Sequence, residues 1–417
     1  MIEKYYSGVI EQIYNRIGKE TRNIVMANYS NDFSIENLEV IRRYQSNEDN
    51  VFFAYSEFSY NTLVGAYEPF LDIICNMHRH FIGGSFDDFQ KECGVYYLHR
   101  QVLNSYYETG ECFREETVLL NEVAYEQRRM TKAIVDMLKR LSEVRPLMIV
   151  INRFQMASKS SIETIKYLID NPCTNIGIVL GVNVQVKGTD STVEVWDRIV
   201  ESLEDRSAIY YIGSAGQQKN HIRDTSDDEL YITTNFEQSI QEASNIMEFL
   251  DYEQARRGCR IIEHKIKFED AWIDEKSLRR FYLIYARTSV LLGEMSKAIE
   301  LTNEYKALIP ESDSEHYFSI YYFMKGTCYM YQGKLEKAEG CAKKAYDYAL
   351  LADDELLEFK SELLSVMIKM SGWYNIFFCV QDIPVSDEFI EKIIKHGYRN
   401  HLAHIYIYAY DNSRDVV

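Results

Sequence analysis

The sequence predicts an α/β domain built on a parallel sheet, followed by an all-helical domain of repeated hairpins. Three observations carry this expectation. Strand-like runs alternate with helical periods through the first half, an unbroken apolar run Leu147-Met148-Ile149-Val150-Ile151 sits at its centre, and the second half resembles itself at a shift of forty residues. A chain of 417 residues also exceeds one ordinary core, because domains cluster near roughly 100–200 residues. With 5 prolines and 19 glycines against 33 tyrosines and 20 phenylalanines, little of it reads as linker, and long helices packed through aromatic rings are favoured.

The elements follow in order. A β-like run at Asn23 to Ala27 leads through a polar stretch, Asn28 to Asp32, into a helical pattern from Ser34 to Tyr44. A second strand-like run, Val51 to Tyr55, precedes a helical period from Tyr60 to His80. Strand, turn and helix in that order imply parallel pairing. An amphipathic helix between Glu115 and Glu143 repeats Leu119, Val123, Met130, Ile134, Met137 and Leu138 at steps of three, four or seven, and ends at Arg145-Pro146. The apolar run that follows is of the kind found in a strand covered on both faces. Helix Ser161 to Ile169, a turn at Asn171-Pro172 and a strand from Asn175 to Asn183 complete another βαβ step.

Polar residues between Gly213 and Asp228 mark the boundary, giving domains at 1–215 and 235–417 joined by a linker at 216–234. Beyond it, Tyr282-Leu283 and Ala286 align with Tyr322-Phe323 and Gly326, and the same shift carries Gly293 onto Gly333 and Ala298 onto Ala338. Both copies hold a G-x-x-x-K-A turn, where the glycine ends one helix and the small residue lets the next approach. Leu250 to Ala255 and Met370 to Trp373 occupy similar places, suggesting about four units. His401 to Tyr410 alternates like a strand, but its context favours a helix. The chain ends at Val417 without a cap, so a further output domain is expected beyond it.

Charge and composition narrow the function. A net charge of −18 disfavours contact with nucleic-acid phosphates, which depends on clustered Lys and Arg. The longest apolar runs fall far short of the ~20 residues that cross a bilayer, and Met1 to Gln12 lacks a secretory pattern, so a cytoplasmic protein is expected. Eight cysteines are scattered without a CxxC pair, which points to reduced thiols. Cys75, His78 and His80 could place two metal ligands on one helix face, but no fourth ligand accompanies them, so no metal site is expected.

Two segments carry a family resemblance. Arg145 to Leu168 is similar to the Walker B region of the signal-transducing P-loop ATPases called STAND, including the ATP-dependent LuxR-type transcription regulators: Gln155, Ala157, Ser160 and Ser161 stand where the pattern expects them. Gly65-Ala66-Tyr67-Glu68-Pro69-Phe70 resembles that family's AY-x-PF stretch after the second strand. The repeats in turn resemble tetratricopeptide repeats in a form longer than 34 residues. The resemblance implies a P-loop fold and a helical sensor, yet the ATP chemistry is missing. A Walker A loop needs glycine N–H groups around the phosphates, a lysine to neutralise them and a hydroxyl for magnesium. Here Ala27 to Ser34, Phe33 included, has neither Gly nor Lys; Asp32 repels phosphate and only Ser34 matches. The acidic pair at the end of the Walker B strand is Asn152-Arg153. Gly18-Lys19-Glu20-Thr21 superficially resembles GKT, but it precedes the first strand and reads as a helix end with a left-handed glycine.

The expectation is therefore a non-enzymatic regulatory protein without a cofactor, weak ATP–magnesium binding through a helix dipole being left open. Its partner is a protein, peptide or small-molecule effector on the repeats, with Tyr282, Tyr285, Tyr317, Tyr321, Tyr322 and Tyr329 as the candidate surface. No direct nucleic-acid or membrane contact is expected, and self-association stays open. A divergent active ATPase and a non-switching scaffold are the alternatives.

Overall fold

The computed structural model describes residues 2–29, 38–46, 50–59, 63–114, 118–184, 193–212, 236–268, 273–312, 314–375 and 385–414. Asp32, Phe33, Ser34 and the expected linker 216–234 lie outside the described residues. The chain divides into two compact units, Met1–Phe113 with Val123–Asp270, and Arg114–Glu122 with Ala271–Val417.

The first unit holds five strands, β1 (Ile24–Tyr29), β2 (Phe52–Glu57), β3 (Leu147–Asn152), β4 (Ile176–Asn183) and β5 (Ile209–Ile212), all parallel in the order β2-β3-β4-β1-β5. Every residue of β3 and β4 is buried, which explains their unbroken apolar character, since parallel strands between helical layers have no wet face. The helices of this unit are α1 (Ile2–Tyr14), α2 (Glu39–Ser46), α3 (Phe70–Met77), α4 (Phe86–Glu92), α5 (Tyr97–Thr109), α6 (Val123–Val144), α7 (Lys159–Asp170), α8 (Val193–Glu204), α9 (Phe236–Glu248) and α10 (Tyr252–Phe268). Helix α6 buries Met130, Ile134, Met137 and Leu138, the stripe its spacing predicts. The helix expected over Tyr60 to His80 is shorter: residues 63–69 form a non-helical approach, and after α3 the chain widens into a π-turn, His78–Ile82, before Gly83.

Residues from 235 onward share the helical period of the repeats, whereas α9 and α10 belong to the first unit. The physical reason lies in the turn between them. Leu250 adopts φ +69° and its carbonyl accepts the Gln127 side chain at 2.6 Å. Gln254 donates to the Val64 carbonyl at 3.0 Å, and Lys159 bonds both Glu253 carboxylate oxygens at 2.8 and 3.0 Å. Asp251, wholly buried, accepts the Ser160 N–H at 3.0 Å and the Gln254 N–H at 3.4 Å, so one carboxylate satisfies the amino ends of both α7 and α10.

The second unit is all helical: α11 (Glu275–Leu291), α12 (Met295–Ala307), α13 (Ser314–Tyr331), α14 (Leu335–Leu351), α15 (Glu355–Asn375), α16 (Asp387–Lys395) and α17 (Arg399–Arg414). The forty-residue shift is visible in the backbone. Gly293 and Gly333 have φ +78° and +71°; the Glu294 and Lys334 N–H groups reach back to the Ser289 and Tyr329 carbonyls at 2.8 and 2.9 Å, closing the same helix-ending turn twice. The next helix crosses on small residues, with Ala338 and Ala342 fully buried beside Leu364, Ile368 and Met330. The turn expected at Met370 to Trp373 is absent, because α15 runs through it without a break. Residues 401–410 lie within helix α17.

Candidate functional site at the carboxyl edge of the sheet

In this strand order β1 connects to β2 on one side of itself while β5 lies on the other. Ligands of open α/β sheets bind beyond the carboxyl ends of the strands at such a reversal. The register sets Tyr29 of β1 beside Asn183 of β4, and Glu57 of β2 beside Asn152 of β3. Four strand ends thereby line one edge, and Asn152 and Arg153, where the chain leaves β3, lie on it.

Both are engaged internally. The buried Tyr29 hydroxyl donates to Asn152 Oδ1 at 2.8 Å. Arg153, held at φ +54° as the chain leaves β3, pairs with Glu57 at 3.1 Å and donates to the Phe58 carbonyl at 3.4 Å. Tyr55 donates its hydroxyl to the same Glu57 carboxylate. Asn152 is a neutral amide and the Arg153 guanidinium is positive, so neither side chain is the negative oxygen ligand that a magnesium ion takes. Gln155, the next position of the family pattern, accepts the Asn183 N–H at 3.2 Å and ties β4 to the turn after β3.

Tyr6 of α1 closes the edge from above. It is wholly buried, and its burial, with Tyr55 and Glu57 nearby, pushes the phenol well above its usual range, so it stays protonated. A Cβ at Gly181 would stand 2.2 Å from the Tyr6 hydroxyl oxygen and 2.7 Å from Asn152 Oδ1. Only glycine lets these side chains lie on β4. Tyr6, Tyr29 and Glu57 escaped the sequence reading, since nothing in their spacing sets them apart from other aromatic and acidic residues; the glycine inside a buried strand was the available signal.

The two segments that carry the family resemblance meet in space. The Tyr67 N–H donates to Ser160 Oγ at 2.9 Å, and Ser161 donates its hydroxyl to the Glu68 carbonyl at 2.7 Å. Ser158 caps α7 by accepting the Ser161 N–H at 3.3 Å. These hydroxyls are spent on joining the approach to α3 with the start of α7. Gly18, in the stretch resembling GKT, has φ +78° and donates its N–H to the Thr174 carbonyl at 2.8 Å.

Cys75, His78 and His80 do not converge on a common point. His78 is enclosed by Phe86, Phe89 and Tyr107 with its Nδ1 3.1 Å from the Tyr107 hydroxyl, His80 bonds its own helix at Asn76, and burial pushes the Cys75 thiol up to about 12. Among the described residues no group of three or more His, Cys, Asp and Glu could hold a metal ion, and no helix is long and apolar enough to cross a membrane.

The six candidate tyrosines lie on α11 and α13. Tyr285 and Tyr321 are buried, while Tyr282, Tyr317, Tyr322 and Tyr329 are half-buried. Five of them carry a cation near the ring: Arg279 on Tyr317 at 5.1 Å, Lys297 on Tyr285 at 5.6 Å, Lys325 on Tyr321 at 5.1 Å, Lys344 on Tyr322 at 5.1 Å and Lys337 on Tyr329 at 5.9 Å. Lys297 and Lys337 are the lysines of the repeated G-x-x-x-K-A turn, so that lysine covers a tyrosine of the preceding helix in both copies. Neither a protein-family model nor a curated protein matches the chain.

Proposed function

We propose that this chain is a cytoplasmic regulatory protein in which a STAND-like α/β module without nucleotide chemistry is joined to a TPR-like, partner-binding helical unit, as in the regulators of LuxR type. The reading rests chiefly on the exit of β3. Asn152 is bonded to Tyr29, and Arg153 is neutralised by Glu57, where nucleotide chemistry calls for free carboxylates. The meeting of Tyr67 and Glu68 with Ser160 and Ser161 adds support, since the two segments that carry the resemblance lie together while those hydroxyls serve structure. The mechanism is a shift between two conformations, biased by whatever binds the helical unit.

Titration of the full chain with ATP and magnesium, followed by calorimetry and thermal unfolding, tests the first half of this reading. A ligand at 100 times its Kd would add about 2.7 kcal/mol. The expected outcome is no heat and no shift at millimolar ATP. Micromolar affinity, or turnover that disappears in Ser34→Ala, would sink it.

A further inference from the structure

We propose that the face formed by α13 and α14 is a docking surface for a carboxylate-rich peptide, recognised by lysines seated on tyrosine rings. This rests on the reading of the helical unit as partner-binding and adds the chemistry of the partner. The two helices run antiparallel and their side chains pair in successive rungs. Phe318 stacks on Tyr348 with centroids 5.3 Å apart. Tyr322 stacks on the same Tyr348 at 5.7 Å and receives Lys344 at 5.1 Å. Lys325 lies in the field of Cys341, and Lys337 covers Tyr329 at 5.9 Å. None of these residues belongs to the sealed interior: Lys337 and Lys344 are exposed, and Phe318, Tyr322, Lys325, Tyr329, Cys341 and Tyr348 are half-buried. The fully buried alanines 338, 342, 345 and 349 pack elsewhere on α14.

The lysines give the surface its sign. Lys325, Lys337 and Lys344, together with Lys306 at 5.3 Å from the Tyr321 ring, form no ion pair among the described residues. Other lysines of the same unit do pair, Lys297 with Glu300, Lys392 with Glu362 and Lys395 with Glu355. The Lys325 ammonium instead donates to the Tyr321 hydroxyl at 2.7 Å, which orients it without neutralising it. Ring faces hold these cations in place and leave N–H donors for an incoming carboxylate. Lys337 and Lys344 are two helical turns apart, about 10 Å, which three residues of extended peptide span. Aromatic residues in that peptide would meet the tyrosine edges between the lysines.

The test uses the full chain and a fluorescent peptide of alternating Glu and Tyr, its Gln and Tyr counterpart, and an oligothymidylate of matching charge, read by anisotropy. The Glu peptide should bind and weaken as salt rises from roughly 0.05 to 0.15 M, while the Gln peptide should not bind. Lys337→Gln and Lys344→Gln should each weaken binding about threefold and together about tenfold. Lys343→Gln, exposed on the same helix, serves as a control that should change nothing. Equal binding of the Gln peptide, tighter binding of the oligothymidylate, or no binding of the Glu peptide at millimolar protein would each overturn the proposal. Glu-peptide binding that ignores the double variant removes this face but leaves the helical unit as a partner-binding module. None of these outcomes bears on the ATP titration.

Discussion

Replacing Asp251 by Ala should unfasten α9 and α10 from the sheet unit. The carboxylate accepts N–H bonds from Ser160 and Gln254, so its removal strips one helix cap, worth about 1 kcal/mol, and orphans a buried donor, worth about 1–3 kcal/mol. The sum is about 2–4 kcal/mol, which for a unit of this size lowers Tm by roughly 5–10 °C. Asp251→Asn keeps an acceptor oxygen and should cost much less. The charge itself opposes folding at neutral pH: burial is the largest influence on Asp251 and holds its carboxyl above the ordinary value of 3.8, despite the bonds it accepts from Ser160 and Gln254. The folded state therefore binds this proton more tightly than the unfolded one, and stability is gained as pH falls through the folded value towards 3.8. Glu253, Lys159 and Glu163 surround the same turn, and Glu163 is likewise raised by burial. Scanning calorimetry of the full chain between pH 4 and 7.5 should show the parent gaining stability relative to Asp251→Asn as pH falls. An unchanged Tm in Asp251→Ala, or an Asn variant as damaged as the Ala variant with the pH slope intact, would refute the reasoning.

Three further outcomes are expected. Gly181→Ala drives a methyl into Tyr6 and Asn152 and should cost about 2–3 kcal/mol in urea unfolding, part of which Tyr6→Phe should restore in the double variant; strict additivity would contradict the packing. Gly293→Ala and Gly333→Ala meet no neighbour within 4 Å, so their cost of about 1 kcal/mol each comes from positive φ alone, and Asn at either position should be milder than Ala. Burial, aided by Arg79, lowers His78 below its ordinary value of 6.5, so the folded state favours the neutral ring. Its contribution is complete above 6.5 and declines as pH drops towards the lower folded value; His78→Gln should shallow that decline in thermal unfolding.

The parts of the fold that sequence revealed are those with one dominant cause. Leu147 to Ile151 is apolar because β3 is covered on both faces, and the forty-residue shift survives because each turn needs its glycine. The short strand β5, Ile209–Ile212, carries too little pattern to separate it from a helix end. Helices α9 and α10 have the same amphipathic period as the repeats, yet they fall in the sheet unit; a handful of polar bonds around Asp251, Glu253 and Gln254, which no periodicity encodes, ties them there. The turn expected at Gly372 failed for the converse reason, since a glycine within a long helix reads like one at its end. At the sheet edge, Asn152 and Arg153 were legible as departures from a motif, whereas their partners Tyr29 and Glu57 come from strands 123 and 96 residues earlier in the chain.

The short segment Arg114–Glu122 belongs to the helical unit although both of its neighbours in the chain belong to the other. Its Leu120 N–H donates to the Tyr331 hydroxyl at 3.2 Å, and Glu122 meets His404 at 2.7 Å. During synthesis at roughly 5–20 residues per second, that segment emerges about 10–40 s before Tyr331 exists. A single cut at 270/271 would therefore leave the strip that bonds Tyr331 and His404 on the other piece of chain.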